Sequence, residues 1–333
     1  MCAADPGDPK ARDFAHPTAL PSSDAVSRAW QDANRRWWES HPMRYDWRAS
    51  IAAAEYTDGW FREIDRRFFE SARAYMPWTH TPFDALIPFA DLRDKTVLEI
   101  GVGMGSHAQL LAGAAKRFVG IDLTQYATTA TRRRLDAFRA PGLICRMDGE
   151  CLGLRDASVD FVWSWGVIHH SSDTRRVLRE IQRVLHPGGT AVIMVYHRSP
   201  WLWWLVTFGL LGLMRGRLFR TGSLNRILQE STDGALARYY TPGEWRALAG
   251  EFFDVQKVMI YGQAGDLVAL PAGRIKEAIL AALPHRVVRF FCNRLKIGSF
   301  LVSVLRRRAD DRNGTPAHAT APSSSRTSAM RPR

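Results

Sequence analysis

The chain has 333 residues, 46% of them hydrophobic, and a formal net charge of +13. That length suits one large domain or two modest ones, and the excess of Lys and Arg points to a negatively charged partner or surface. Four scattered cysteines with no C-x-x-C pair speak against a disulfide framework or a structural zinc and favour reduced thiols in the cytoplasm. The N-terminus has no apolar core of a signal peptide, and nothing reaches the roughly 20 apolar residues of a membrane-spanning helix.

Residues 1–24 are rich in Pro, Asp, Ala and Ser and are expected to be disordered. Residues 25–92 read as a helical cap. Trp30, Trp37, Trp38, Tyr45 and Trp47 crowd its first part, as a surface helix or as a lid over a substrate. Trp60, Phe61, Ile64, Phe68 and Ala72 recur at helical spacing over 57–75, which predicts an amphipathic helix against the core.

The stretch 96–122 is the organising centre of the chain. Thr96-Val-Leu-Glu99-Ile-Gly101-Val-Gly103-Met-Gly105 leads through an apolar helix to Arg117-Phe-Val-Gly-Ile-Asp122. A strand, a glycine turn, a helix and a second strand ending in an acid form a nucleotide-binding α/β unit. A dinucleotide fingerprint spaces its glycines G-x-G-x-x-G to seat a pyrophosphate. Here the glycines run G-x-G-x-G, and Glu99 suits a ligand with a positive centre. The stretch resembles motif I of the class I S-adenosylmethionine (SAM)-dependent methyltransferases.

Next in order come a helix over 126–139, a strand over 143–147, and a fourth strand over 159–163. A helix over 174–185 has Val177, Leu178, Ile181 and Val184 on one face, and His186-Pro187-Gly188-Gly189 stops it. A fifth strand spans 190–195. The run from Leu178 through Gly189 to Val195 resembles the helix–turn–strand of the ubiquinone and menaquinone C-methyltransferases. The resemblance covers about residues 90–197. It implies a Rossmann-like α/β sheet of seven strands, mostly parallel, with the last strand antiparallel and inserted beside the fifth. That strand is expected over 299–305 and the sixth over 251–260. The methyltransferase domain would run from 93 to 308, with helical insertions near 199–240 and 272–297 and a disordered tail over 309–333.

The resemblance also implies site roles. SAM would be the cofactor. Glu99, Gly101, Gly103 and Gly105 would shape its methionine end, Asp122 with Leu123 the ribose, Asp148 with Gly149 the adenine, and Ser164 with Trp165 the end of the fourth strand. An acceptor with an O–H or acidic C–H needs a base near neutral pKa. His169 and His170 after the fourth strand and His197 after the fifth are the candidates, though each could equally cap or pack. Trp165, Tyr196 and Tyr239 could line the acceptor pocket. No metal site is expected, since no Cys, Asp or Glu stands at ligand spacing to the His pair.

The [DN]-P-P-[YFW] motif of nucleobase amine methyltransferases is replaced by Ser164-Trp165-Gly166-Val167, so a DNA substrate is not expected. Trp201–Met214 is apolar, with Arg215, Arg217 and Arg220 just after it, while residues 274–308 carry nine Lys or Arg against one acid, Glu277. Either stretch could pack in the core or lie on a membrane surface. The expected reaction is methylation of a carbon or oxygen on a small or lipid-linked hydrophobic acceptor, in the cytoplasm or peripheral to its membrane. Methylation of RNA or protein through the basic region, and a SAM-binding module without turnover, stay open.

Overall fold

The computed structural model describes residues 14, 16–46, 49–270 and 273–308. Five parallel strands build the sheet: β1 (Thr96–Ile100), β2 (Arg117–Asp122), β3 (Leu143–Arg146), β4 (Val159–Trp165) and β5 (Leu185–His197). The two-residue strand β6 (Tyr239–Tyr240) adds to β5. Strands β7 (Phe253–Tyr261) and β8 (Phe300–Arg307) complete the order β3-β2-β1-β4-β5-β8-β7, with β8 antiparallel to both neighbours. The inserted last strand is therefore present as the resemblance implies. β1 and β4 are buried on both faces, which is why they read as nearly continuous apolar runs.

Strand β5 starts five residues before the expected Thr190. Leu185 already pairs with Val159, and the ladder resumes at Phe161 with Thr190. The segment 186–189 leaves the ladder as an irregularity in which Gly188 has φ +77°. The turn is real, and it lies inside the strand.

Helix α1 (Asp24–Ser40) crosses the carboxyl edge, and α2 (Asp58–Tyr75) lays Trp60, Phe61, Ile64 and Phe68 inward. Helices α3 (Ser106–Ala114), α4 (Gln125–Ala137) and α5 (Thr174–Val184) come after β1, β2 and β4. Two buried arginines tie the N-terminal part of the chain to the α/β domain. Arg134 on α4 meets Asp65 Oδ2 at 2.5 Å and donates to Met104 O and Ser106 Oγ at 3.0 Å. Arg238 donates to Ala19 O at 2.8 Å and to the carbonyls of Ser171 and Ser172.

The expected disordered tail is corrected by that second anchor. Phe14 is buried under the Arg238 guanidinium and Tyr239 N donates to Pro17 O. Packing thus begins within the first 24 residues. Residues 1–13, 15 and 309–333, where disorder is also expected, lie outside the described residues, as does Trp47.

Between β5 and β6 stand a π-helix (Trp201–Met214) and the short helices α6 (Arg217–Thr221) and α7 (Leu224–Glu230). The capped helix α8 (Pro242–Gly250) precedes β7. Arg274–Ala282 and His285–Arg289 are helical between β7 and β8. Among the described residues no helix is long and apolar enough to cross a membrane.

Candidate active site

The strand order reverses direction between β1 and β4, so a crevice forms at their carboxyl ends, where ligands bind in open α/β sheets. The glycine loop fills one wall. Gly101, Gly103 and Gly105 have φ of +82°, +52° and +79°, values that favour glycine. A Cβ on Gly101 would lie 2.2 Å from Val167 Cγ2, whereas a Cβ on Gly103 would meet nothing within 4 Å. The first glycine is therefore needed for contact with the loop after β4, and the second faces open space.

Asp122 ends β2 with its carboxylate preorganised. Oδ1 accepts from Thr124 N at 3.0 Å and Thr124 Oγ1 at 2.8 Å, and Oδ2 accepts from Gly103 N at 3.2 Å. Burial raises its pKa against those bonds. Glu99 is 2% exposed, its Oε1 lies 3.9 Å from His107 Nδ1, and its Oε2 has no hydrogen-bond partner. Burial first, and the nearby Asp122 carboxylate second, push the Glu99 carboxyl well above its ordinary range. An orphaned buried acid at the glycine loop fits a ligand that brings a cation or donors. Burial also pulls neighbouring His107 down to about 3, so it is a neutral ring.

Asp148 stands just past β3, but its Oδ1 is engaged by Gln31 Nε2 of α1 at 2.8 Å and Glu150 N at 2.9 Å. Gln31 Oε1 accepts from Ser172 N at 3.0 Å. Glu39 on the same helix accepts from Gln125 N and Tyr126 N, at the start of α4. The α1 helix thus closes the Asp122–Asp148 side of the crevice. Gly149 stands against Ile100 and Val177, and Leu123 is half-buried with its carbonyl taken by Arg146. Ser164 is buried, and its hydroxyl donates to Ile100 O at 3.2 Å. Trp165 stacks on Trp163 at 5.3 Å and meets the edge of Phe83.

On the other side, His169 is fully buried and both its ring nitrogens lack partners. Its ring lies 3.9 Å from that of Tyr196 and 4.1 Å from that of His170. His170 is fixed through Nδ1 to Leu236 O at 2.8 Å. Tyr196 OH donates to Asp233 Oδ1 at 3.1 Å, and Tyr239 stacks beside it at 5.2 Å. Burial first, then the neighbouring His170 ring and the Arg238 guanidinium, drop the His169 pKa well below the ordinary histidine value, and burial lowers His170 as well. Burial also lifts Tyr196 far above the tyrosine range. The His169 ring is thus neutral and buried, and its lowered pKa makes it a weaker base than the near-neutral one expected from the sequence.

The expected residues therefore divide. His169, His170, Tyr196 and Tyr239 come together, while His197 does not join them. Its Nδ1 bonds Gly298 O at 2.7 Å, and it lines an apolar groove of about 550 Å³ with Trp203, Trp204 and Pro242. Trp165 belongs to the aromatic cluster with Phe83 and His107. Sequence reading missed Gln31, Glu39, His107 and Asp233. The density of tryptophans around Gln31 was the one local signal for the first two.

A Rossmann-like sheet with an inserted antiparallel strand, a three-glycine loop and an acid closing β2 defines a class I methyltransferase. Residues 98–193 match the sequence family described as a methyltransferase domain. The chain carries a class I SAM-dependent methyltransferase domain, and its cofactor is SAM. It is 35% identical over 105 residues to an S-adenosylmethionine-dependent methyltransferase of Mycolicibacterium smegmatis, covering 31% of this chain and 39% of that one. It is 37% identical over 102 residues to the phthiotriol/phenolphthiotriol dimycocerosates methyltransferase of Mycobacterium tuberculosis, covering 30% and 37%. With a tRNA U34 carboxymethyltransferase of Cellvibrio japonicus it shares 28% identity over 167 residues, covering 44% and 51%. The chain thus spans about two-fifths to half of these relatives' lengths. Its fold also matches the complex between the Haloferax volcanii Trm112 methyltransferase activator and a methyltransferase, at TM-score 0.50 and 20% identity over 75% of this chain and 95% of that one.

Proposed function

We propose that the protein transfers a methyl group from SAM to a carbon or oxygen of a hydrophobic, small or lipid-linked acceptor at a membrane surface. SAM supplies an electrophilic methyl on a sulfonium. The single observation that carries the reading is that His169, on the loop whose Val167 packs against Gly101, lies buried against the half-buried Tyr196 of β5, with Tyr239 of β6 beside it. Glu99, Asp122 and Asp148 would hold the cofactor's polar ends. The aromatic rings of Tyr196, Tyr239 and Trp165 would orient an apolar acceptor and exclude water, from which much of the rate comes. The acceptor's proton would pass to a ring nitrogen of His169 that has no other partner; burial keeps that ring neutral and also lowers its basicity, so positioning carries more of the rate than base strength. His170 positions that ring through its bond to Leu236 O.

The phthiotriol-type relative supports a lipid-linked acceptor, and so does the apolar groove lined by His197, next to Tyr196 on β5, and by Thr241 and Pro242, just past β6. The tRNA-modifying relative and the basic residues 274–308 favour methylation of RNA as the second reading. The deciding experiment incubates the full chain with methyl-labelled SAM and separate lipid, RNA and small-molecule extracts. Label in the lipid fraction, lost with His169→Gln, supports the first reading. Label in RNA alone selects the second. No label in any fraction, with SAM binding intact, favours a module without turnover.

A further inference from the structure

The π-helix hides little of an apolar sequence. Only Thr207 and Gly212 are buried, and Trp204, Leu205, Leu213 and Met214 are exposed, Met214 to 80%. Its i→i+5 winding is seen in Arg215 N donating to Leu210 O and Thr207 Oγ1 donating to Leu202 O. At roughly four and a half residues per turn, positions 204, 205, 213 and 214 fall on one face, and 202, 207 and 212 on the opposite one. An α-helical winding would scatter the first four around the axis. Phe219, exposed to 81% on α6, extends the patch.

A second apolar group stands on residues 273–297: Ile275, Ile279, Phe290 and Leu295 are exposed there, and Arg274–Ala282 buries no residue. Both groups are rooted in one turn. Trp201 Nε1 donates to Asp266 O at 2.9 Å, and Cys292 Sγ lies 3.6 Å from Gln263 O. Arg215 and Arg220 flank the first group, and Arg274, Arg286 and Arg294 are interleaved with the second, all exposed.

We propose that these two segments form one docking face for an anionic lipid bilayer, with the apolar side chains in the acyl boundary and the arginines at the headgroups. The charge selects the occupant. A second copy of the chain would bring the same cations against these, which repel. A nucleic acid would satisfy the arginines and leave the apolar face in water, where patches of this kind are uncommon. An anionic bilayer takes both, since each Lys or Arg near its surface adds attraction and the apolar face adds burial. Trp204 stands on the docking face and also lines the groove beside His197. A lipid-linked acceptor thus has a route from the bilayer to the ends of β5 and β6. That route rests on the proposed function, and the docking deepens the membrane-surface part of it.

The test is co-sedimentation of the full chain with phosphatidylcholine vesicles, with and without phosphatidylglycerol. Leu213→Glu/Met214→Glu and Arg215→Glu/Arg220→Glu are the variants, and SAM titration and thermal melting of each confirm the fold. The native chain should partition onto the anionic vesicles about tenfold or more better than onto the neutral ones, and each double variant should lose about tenfold or more. Equal binding to both vesicle types, no binding, or folded variants that bind as the native chain does would each overturn the proposal. Binding of a single-stranded RNA that competes with vesicles and survives Leu213→Glu/Met214→Glu would overturn it too. Because vesicle binding is read without turnover, its failure removes the membrane surface from the proposed function and leaves the methyl transfer standing, and failure of methyl transfer leaves the docking standing.

Discussion

Asp122→Asn separates what a carboxylate does for the glycine loop from what it does for a ligand. In the native chain three donors, Thr124 N, Thr124 Oγ1 and Gly103 N, converge on its two oxygens. An amide keeps one acceptor oxygen and presents an N–H2 in place of the other. If the oxygen stays with Thr124, the amide nitrogen faces the Gly103 N–H, and if it turns, it faces Thr124. In either pose a ribose hydroxyl loses a charged acceptor, and hydrogen bonds to charged groups contribute about 1.5–3 kcal/mol. The SAM dissociation constant should therefore rise roughly 10- to 150-fold. Isothermal titration with SAM, beside thermal melting of the same samples, measures it. Thr124→Val is the control: it removes a neighbour's bond and leaves the carboxylate, and should cost less than about fivefold. SAM affinity for a folded Asp122→Asn within threefold of native would refute the ribose role and leave Asp122 to the loop alone.

Four further outcomes are expected. His169→Gln should lower methyl transfer by roughly 100- to 10,000-fold with SAM affinity kept. In the native chain kcat should stay flat as pH falls through 6.5, because burial holds the His169 ring neutral well below that value; a fall centred at 6.5 would refute the assignment. Gly101→Ala, forced to φ +82° with its Cβ 2.2 Å from Val167 Cγ2, should destabilise by about 2–5 kcal/mol. Gly103→Ala, with nothing within 4 Å, should cost about 1 kcal/mol, and melting temperatures in the reverse order would contradict the packing. Burial raises the Asp266 carboxyl from 3.8 to about 6 against its bonds from Ser299 and Gln263. The folded chain then holds a proton between pH 4 and 6 that the unfolded chain has released. Stability from this group is full below about pH 4 and falls by up to about 3 kcal/mol as pH rises through 6. Urea unfolding of the native chain against Asp266→Asn should show that slope only in the former, and parallel curves would refute it.

What was legible in the sequence was local. The strand–glycine–helix–strand unit lies within 27 consecutive residues, and each of its signals is local: apolar runs for buried strands, glycines where φ must be positive, and an acid where the strand ends. The same holds for the apolar stripe of α5 and the Thr57 start of α2. The expectation for β8 held because the family resemblance, not periodicity, carried it. The π winding of Trp201–Met214 was not legible, because an apolar stretch with no polar face carries no period to read.

The site's outer shell was decided by tertiary structure alone. Gln31 meets Asp148 across 117 positions, and Arg238 reaches Ala19 across 219. His169 and His197 look alike in sequence, each placed at or just past the end of a strand. Only the packed chain leaves one with both nitrogens free beside Tyr196 and ties the other to Gly298. Residue type and local period determine which element forms. Which side chains share a buried space depends on how those elements pack, and that depends on contacts between distant parts of the chain.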